Sequence, residues 1–182
     1  MHARGPLPFD PIEEARRQWV VHGWSEVAPA MAVVTSIMRL QQVYLSRADA
    51  ALRPLGLTFA RYEVLMLLSF SRVGALPLGK VGQRLQVNPA SVTNAIDRLE
   101  ANGLVERRPN PSDGRGTLAR ITAAGRHLAA VATDRMNAEV FADVGAGHDD
   151  LERLFTLLGE LRSAAGDFPA AATGTSTRPE AT

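Results

Sequence analysis

Between Asn88 and Arg98 the chain sets Asn88, Ser91, Thr93, Asn94 and Arg98 among Pro89, Ala90 and Ala95. These side chains form hydrogen bonds but include no nucleophile paired with a base. Short amide and hydroxyl groups can reach base edges and phosphate oxygens, and arginine adds a planar fork of donors. Cations flank the stretch: Lys80 and Arg84 come before it, and Arg107, Arg108 and Arg115 come after it. This is the chemistry of binding to a polyanion. The rest of the chain supports that choice, because the histidines at positions 2, 22, 127 and 148 show no metal-ligand spacing and no serine nucleophile motif appears. No enzyme and no cofactor are therefore expected. Gly74–Val81 imitates a phosphate-binding loop up to its last position, but Val81 stands where a Ser or Thr must hold Mg²⁺, so nucleotide binding is rejected.

The elements that must position these residues can be read from their signals. Asn88 suits a helix N-cap and Pro89 the first helical position, while Gly103 closes the far end. Val92, Ile96 and Leu99 share one face at helical spacing; Ala90, Asn94, Asp97 and Ala101 lie opposite, flanked by Ser91, Thr93 and Arg98. A face of small and hydrogen-bonding residues lets a backbone come close to another surface. Leu104–Arg108 reads as a strand, Pro109–Gly114 as a turn and Gly116–Thr122 as a returning strand. Upstream, Leu78–Leu85 reads as a short helix with Val81 and Leu85 inward, joined to the next helix by Gln86-Val87-Asn88. Helix, tight turn, capped helix and hairpin make a winged helix-turn-helix. Lys80 and Arg84 are candidates for phosphate contacts, with plain solvation the alternative.

The stretch Asp97-Arg-Leu-Glu-Ala-Asn-Gly-Leu-Val-Glu-Arg-Arg108, the wing pattern Asp113-Gly-Arg115 and Thr122-Ala-Ala-Gly125 together resemble the MarR family of transcriptional regulators. The resemblance runs from about Val27 to Ala165. It implies a mainly α fold with a small β-wing: a winged helix-turn-helix plus a helical dimerisation lobe. It implies a homodimeric, sequence-specific DNA-binding regulator, a ligand-responsive repressor on a pseudo-palindromic operator, with half-sites about one turn (~34 Å) apart. Ser91, Thr93 and Asn94 are then expected at base edges. Arg115 would meet the flanking minor groove or phosphate, and Arg107 and Arg108 would add phosphate charge. Asp97 would orient Arg98 or a wing arginine. The family commonly takes small aromatic or anionic effectors; Trp19, Met38, Tyr62 and Met66 are the candidates to line such a cavity, with core packing the preferred role for each. A second functional class stays open, a winged-helix protein-interaction module without DNA binding, although the basic lobe argues against it.

That lobe is visible in the charge distribution. Residues 78–120 carry Lys80, Arg84, Arg98, Arg107, Arg108, Arg115 and Arg120 against four acids, whereas residues 123–167 carry twice as many acids as bases, although the net charge of the whole chain is only +1. There is no cysteine, which excludes disulfides, thiolate zinc sites and thiol redox sensing. Aromatics make up 5% of residues, so the core must rest on aliphatic side chains, which suits packed helices. No signal peptide or membrane span is legible, and a cytoplasmic protein without membrane partners is expected.

The expected organisation is an N-terminal arm over 1–26 with an extra helix at Ile12–Gly23, a helical dimerisation region over 27–53 and 123–166, the winged helix-turn-helix over 54–122, and a disordered tail over 167–182. A helix in front of the core resembles the urate-responsive branch of the family, where a tryptophan lines the pocket. Glu63 and Ala95 depart from that branch, and packing of Trp19 and Trp24 onto the dimer core is preferred. Val27–Leu52 should be a helix with Val27, Met31, Val34, Met38, Leu45, Ala48 and Leu52 on one face. Thr58 should cap a helix to Ser69, and Arg72–Pro77 should be a loop. Gly125–Val144 should form one long helix reaching Phe141. A last helix from His148 should carry the stripe Leu151, Leu154, Phe155, Leu158 and Leu161, as core or dimer seam.

Overall fold

The computed structural model describes residues 7–111 and 116–169. Asp113 and Arg115, and most of the expected tail, lie outside the described residues. The chain divides into two compact units between Ala50 and Ala51.

The first unit holds helix α1 (Pro11–Val21) and nearly all of α2 (Ala28–Leu52). Asp10 starts α1: its Oδ1 accepts from the Ile12 N–H at 2.8 Å, and Pro11 takes the first helical position. Ile12, Ala15 and Trp19 are the half-buried side of α1 together with Glu14, whereas His22 is exposed. Trp19 meets Trp24 edge-on, with ring centroids 5.4 Å apart, and His22 stacks on Trp24 at 5.8 Å. In α2 the expected apolar face is not core: Val34 and Met38 are 51% and 60% exposed, and only Ala28, Ala48, Ala51 and Leu52 are buried. The reason is that apolar residues occur all round this helix, with Val33, Ile37, Leu40 and Val43 exposed on its other sides.

The second unit is built on α3 (Phe59–Phe70), α4 (Leu78–Leu85), α5 (Pro89–Ala101) and α6 (Ala123–Met136), with strands β1 (Ala75–Pro77), β2 (Val105–Pro109) and β3 (Thr117–Ile121). Its core is aliphatic: Leu65, Leu68, Val81, Ile96, Leu99 and Ala119 are fully buried. β1 corrects the expected loop over 72–77. It pairs antiparallel with β3, Leu76 opposite Ala119, and the sheet order is β1-β3-β2. A three-residue strand is too short to show alternation, and Pro77 disguises it; an edge strand tolerates a missing N–H. β2 and β3 form the hairpin, with Arg107 opposite Ala119 and Val105 opposite Ile121.

Thr122 and Gly125 show why that pair closes the wing. The Thr122 hydroxyl accepts from the Gly125 N–H at 3.0 Å, capping α6, and lies 2.8 Å from the Gly103 carbonyl, to which it donates. A Cβ on Gly125 would stand 2.1 Å from the Leu104 carbonyl oxygen, so only glycine lets α6 leave the sheet so close to the turn after α5. The helix expected as far as Val144 instead stops at Met136 and widens into a π turn over Asn137–Phe141, with the Ala142 N–H bonded to the Asn137 carbonyl at 2.8 Å. The extra residue in that turn puts Val140 in the core and leaves Phe141 51% exposed. The last helix, α7 (His148–Ala164), buries no residue; Leu154, Phe155 and Leu161 of its stripe are 46%, 71% and 49% exposed. They are not core of this chain. After α7, Asp167 accepts from Arg162 Nε at 2.6 Å, and its backbone carbonyl accepts from Gln86 Nε2 at 3.3 Å.

Candidate nucleic-acid interface

α4 and α5 form the helix-turn-helix. α4 ends on Gln86, the only non-glycine with positive φ among the described residues (φ 53, ψ 39), and that left-handed residue reverses the chain. Asn88 then opens α5: its Oδ1 accepts from the Ser91 N–H at 2.9 Å, and Pro89 follows. Val92, Ile96 and Leu99 are buried beneath, so the opposite face is forced outward. Asn88, Pro89, Ala90, Ser91, Thr93, Asn94 and Arg98 are all exposed, and Ala95 is half-buried. The Thr93 hydroxyl donates to the Pro89 carbonyl at 3.0 Å, which leaves its lone pairs outward. Lys80 and Arg84 are exposed on α4.

The wing arginines divide. Arg107 Nη2 donates to Asp97 Oδ1 at 2.6 Å, its Nη1 donates to Glu100 Oε2, and its backbone N–H donates to Glu100 Oε1 at 3.0 Å. Burial pulls the Arg107 pKa down, but the bonds to Glu100 and Asp97 outweigh it and hold the guanidinium above the usual arginine value. With its side chain 27% exposed and two carboxylates on it, Arg107 ties β2 to α5. Asp97 is placed on this wing arginine, not on Arg98. Arg108 keeps an outward position, 59% exposed, with Glu106 Oε2 2.8 Å from its Nη2. That bond holds the Glu106 carboxyl below the usual glutamate range.

An open groove of about 790 Å³ runs along the outward face of α5, lined by Asn88, Ala90, Ser91, Asn94, Ala95 and Arg98 and, from α3, by Thr58, Ala60 and Arg61. The α3 residues were not among the expected site. Thr58 sits at the N-cap of α3 but makes no capping bond; its hydroxyl instead accepts from Arg61 Nε at 3.2 Å. The signal that could have found Arg61 is a cation in the first turn of a helix with no acid beside it.

The effector candidates fall in separate units. Trp19 and Met38 belong to the first, the one in the aromatic cluster and the other exposed. In the second, Tyr62 is buried with its hydroxyl 3.1 Å from Thr133 Oγ1, and Thr133 Oγ1 lies 3.2 Å from the Met66 sulfur. These two residues pack α3 against α6. Among the described residues no cluster of acids and histidines could hold a metal ion, and no helix is long and apolar enough to cross a membrane.

Comparison with known proteins agrees with this geometry. The model of the MarR family matches residues 57–117, from two residues before α3 to the first residue of β3. The multiple antibiotic resistance protein MarR of Escherichia coli (strain K12) is 39% identical over 75 residues, 41% of this chain and 50% of that protein. The chain thus spans half the length of that curated relative. A mutant of E. coli MarR solved complexed with operator DNA superposes with a TM-score of 0.67 over 74% of this chain and 96% of its own; at 23% identity the likeness is one of fold. The crystal structure of Sco5413, a MarR family transcriptional regulator from Streptomyces coelicolor, is 50% identical, with a TM-score of 0.71 over 78% of this chain and 99% of that one. With half of the aligned residues identical across nearly all of Sco5413, and a winged helix-turn-helix in the matched segment, this chain belongs to the MarR family of transcriptional regulators.

Proposed function

We propose that the protein is a cytoplasmic, homodimeric, sequence-specific DNA-binding regulator, a ligand-responsive repressor of a pseudo-palindromic operator. The observation that carries this reading is the outward face of α5: small and hydrogen-bonding side chains line an open groove, with cations at its margins. Such a face lets a recognition helix enter the major groove of double-stranded DNA without long side chains in the way. Asn94, Thr93 and Ser91 read base edges; Lys80, Arg84, Arg98 and Arg108 meet phosphate, and Arg115 is assigned the flanking groove. Asn88 and Pro89 set the start of the helix. Dimerisation rests on residues 27–53 and 123–166, which contain the exposed apolar sides of α2 and α7. Two protomers related by a two-fold axis then match two half-sites. An aromatic or anionic effector that favours an incompatible spacing of the two α5 helices releases the operator.

The test is selection of genomic fragments by the purified protein, followed by salt titration of the best fragment with wild type and Asn94→Ala. A pseudo-palindrome bound with steep salt dependence is expected, and Asn94→Ala should lose about 1–3 kcal/mol on it while relaxing one base preference. Equal losses on selected and random DNA would remove Asn94 from base reading. Flat, weak binding by wild type would favour a protein-interaction module.

A further inference from the structure

We infer that Arg61, on the helix before the helix-turn-helix, is a DNA phosphate contact held in position by Thr58. The inference rests on the DNA-binding reading above and extends its interface to a second helix.

Three observations carry it. Arg61 lines the same groove as Asn94 and Arg98, so the groove has a cation from α3 as well as one from α5. Its guanidinium is fixed rather than loose: Nε donates to Thr58 Oγ1 at 3.2 Å, which leaves both terminal nitrogens to bind elsewhere. No carboxylate within the described residues pairs with it. A planar fork with one edge tethered and the other free suits bidentate contact with phosphate oxygens, and tethering lowers the side-chain entropy lost on binding.

The placement also works against the helix that carries it. Arg61 stands in the first turn of α3, where the backbone dipole disfavours a positive charge, and that turn contains no acid to offset it. Thr58 gives its hydroxyl to Arg61 and so caps no N–H of α3. Neither choice helps α3 to form. Both make sense if the groove meets a polyanion.

The experiment measures binding of the selected operator and of a random duplex of equal length across a salt series. The proteins are wild type, Arg61→Ala, Arg61→Gln, Thr58→Val, the Thr58→Val/Arg61→Ala double variant, and Arg98→Ala. Thermal melts confirm folding, and Arg61→Gln serves if the alanine variant melts early. Arg61→Ala and Arg61→Gln should weaken both duplexes by the same factor and reduce the salt slope by about 0.9 per protomer. A fourfold rise in salt should then shrink the wild-type advantage about 3.5-fold per protomer, which is four raised to that power. Thr58→Val should weaken binding in the wild-type background and change nothing once Arg61 is alanine. That loss of coupling is what a purely structural threonine would not show.

Steep salt dependence for wild type, with Arg61→Ala unchanged in affinity and slope while Arg98→Ala is weakened, overturns the inference alone. A loss confined to the operator makes Arg61 a base reader and overturns it as stated. Additive effects of Thr58→Val and Arg61→Ala remove the positioning role of Thr58. Flat binding by wild type overturns the DNA reading itself, and this inference with it.

Discussion

Arg107→Ala should destabilise the fold and leave the salt slope of DNA binding unchanged. Arg107 holds two carboxylates on α5, through Nη2 to Asp97 at 2.6 Å and through Nη1 to Glu100, and Glu100 also accepts from its backbone N–H. Hydrogen bonds to charged groups contribute roughly 1.5–3 kcal/mol each, whereas exposed ion pairs contribute about 0–1 kcal/mol. Here the arginine side chain is 27% exposed, but Asp97 and Glu100 are 57% and 40% exposed, so solvent screens much of the attraction. A loss of about 1–2 kcal/mol follows, between the two limits. For a chain of this size that lowers Tm by roughly 2–8 °C. Glu100→Ala should lose a similar amount, and the double variant should reveal a coupling of about 1 kcal/mol. The assays are thermal unfolding of the four proteins and salt titration of binding. Affinity should fall somewhat, because Asp97 and Glu100 are left uncompensated near the groove. The reasoning is refuted if Arg107→Ala melts with wild type while its salt slope drops by about 0.9, because the arginine would then be neutralising phosphate.

Two other substitutions probe the fold around the interface. Gly125→Ala should cost about 3 kcal/mol or more in denaturant unfolding, because its Cβ would stand 2.1 Å from the Leu104 carbonyl oxygen and 2.9 Å from Ile121 Cγ1, and a backbone atom cannot rotate away. Glu63→Gln should raise Tm near neutral pH and leave it unchanged below the ordinary glutamate range. Burial alone holds the Glu63 carboxyl above that range, so its penalty is absent below the unfolded pKa, grows as pH rises, and is complete above the folded pKa; a wild-type Tm already matching the glutamine variant at neutral pH would contradict this.

How much was legible in the sequence follows from the range of each signal. α5 was legible because its cap, its first-turn proline and its buried triplet Val92, Ile96 and Leu99 are all local. The hairpin was legible because a turn-rich stretch separates two short runs. β1 was not, because Ala75–Pro77 acquires its strand character only by pairing with Arg120, Ala119 and Leu118, more than forty residues on. The π turn was not, because Asn137–Phe141 continues a helical composition and only the widened hydrogen bond shifts the phase. The apolar stripe of α7 was legible as a face but not as covered or open, since periodicity shows only that a side is apolar. Basic residues near the wing were legible as charge. Which of them is already neutralised depends on where Asp97 and Glu100 project, and that is fixed only when α5 and β2 pack together.

The partition of the arginines is therefore the physical core of the interface. Cations with no acid of their own are the best placed to neutralise phosphates and so release the counterions condensed on a polyanion. Lys80, Arg84, Arg61 and Arg98 meet that condition among the described residues, on three different helices of one unit. Arg107 does different work: by holding Asp97 and Glu100 it offsets one of their two negative charges and fixes the wing strand to α5 in one step. Without that tie, β2 could shift against α5, and cations on the wing would lose their register with those on the helices. A chain of nearly zero net charge can in this way present one cationic face. The acids of that lobe need not be few where an arginine between β2 and α5 offsets part of their charge.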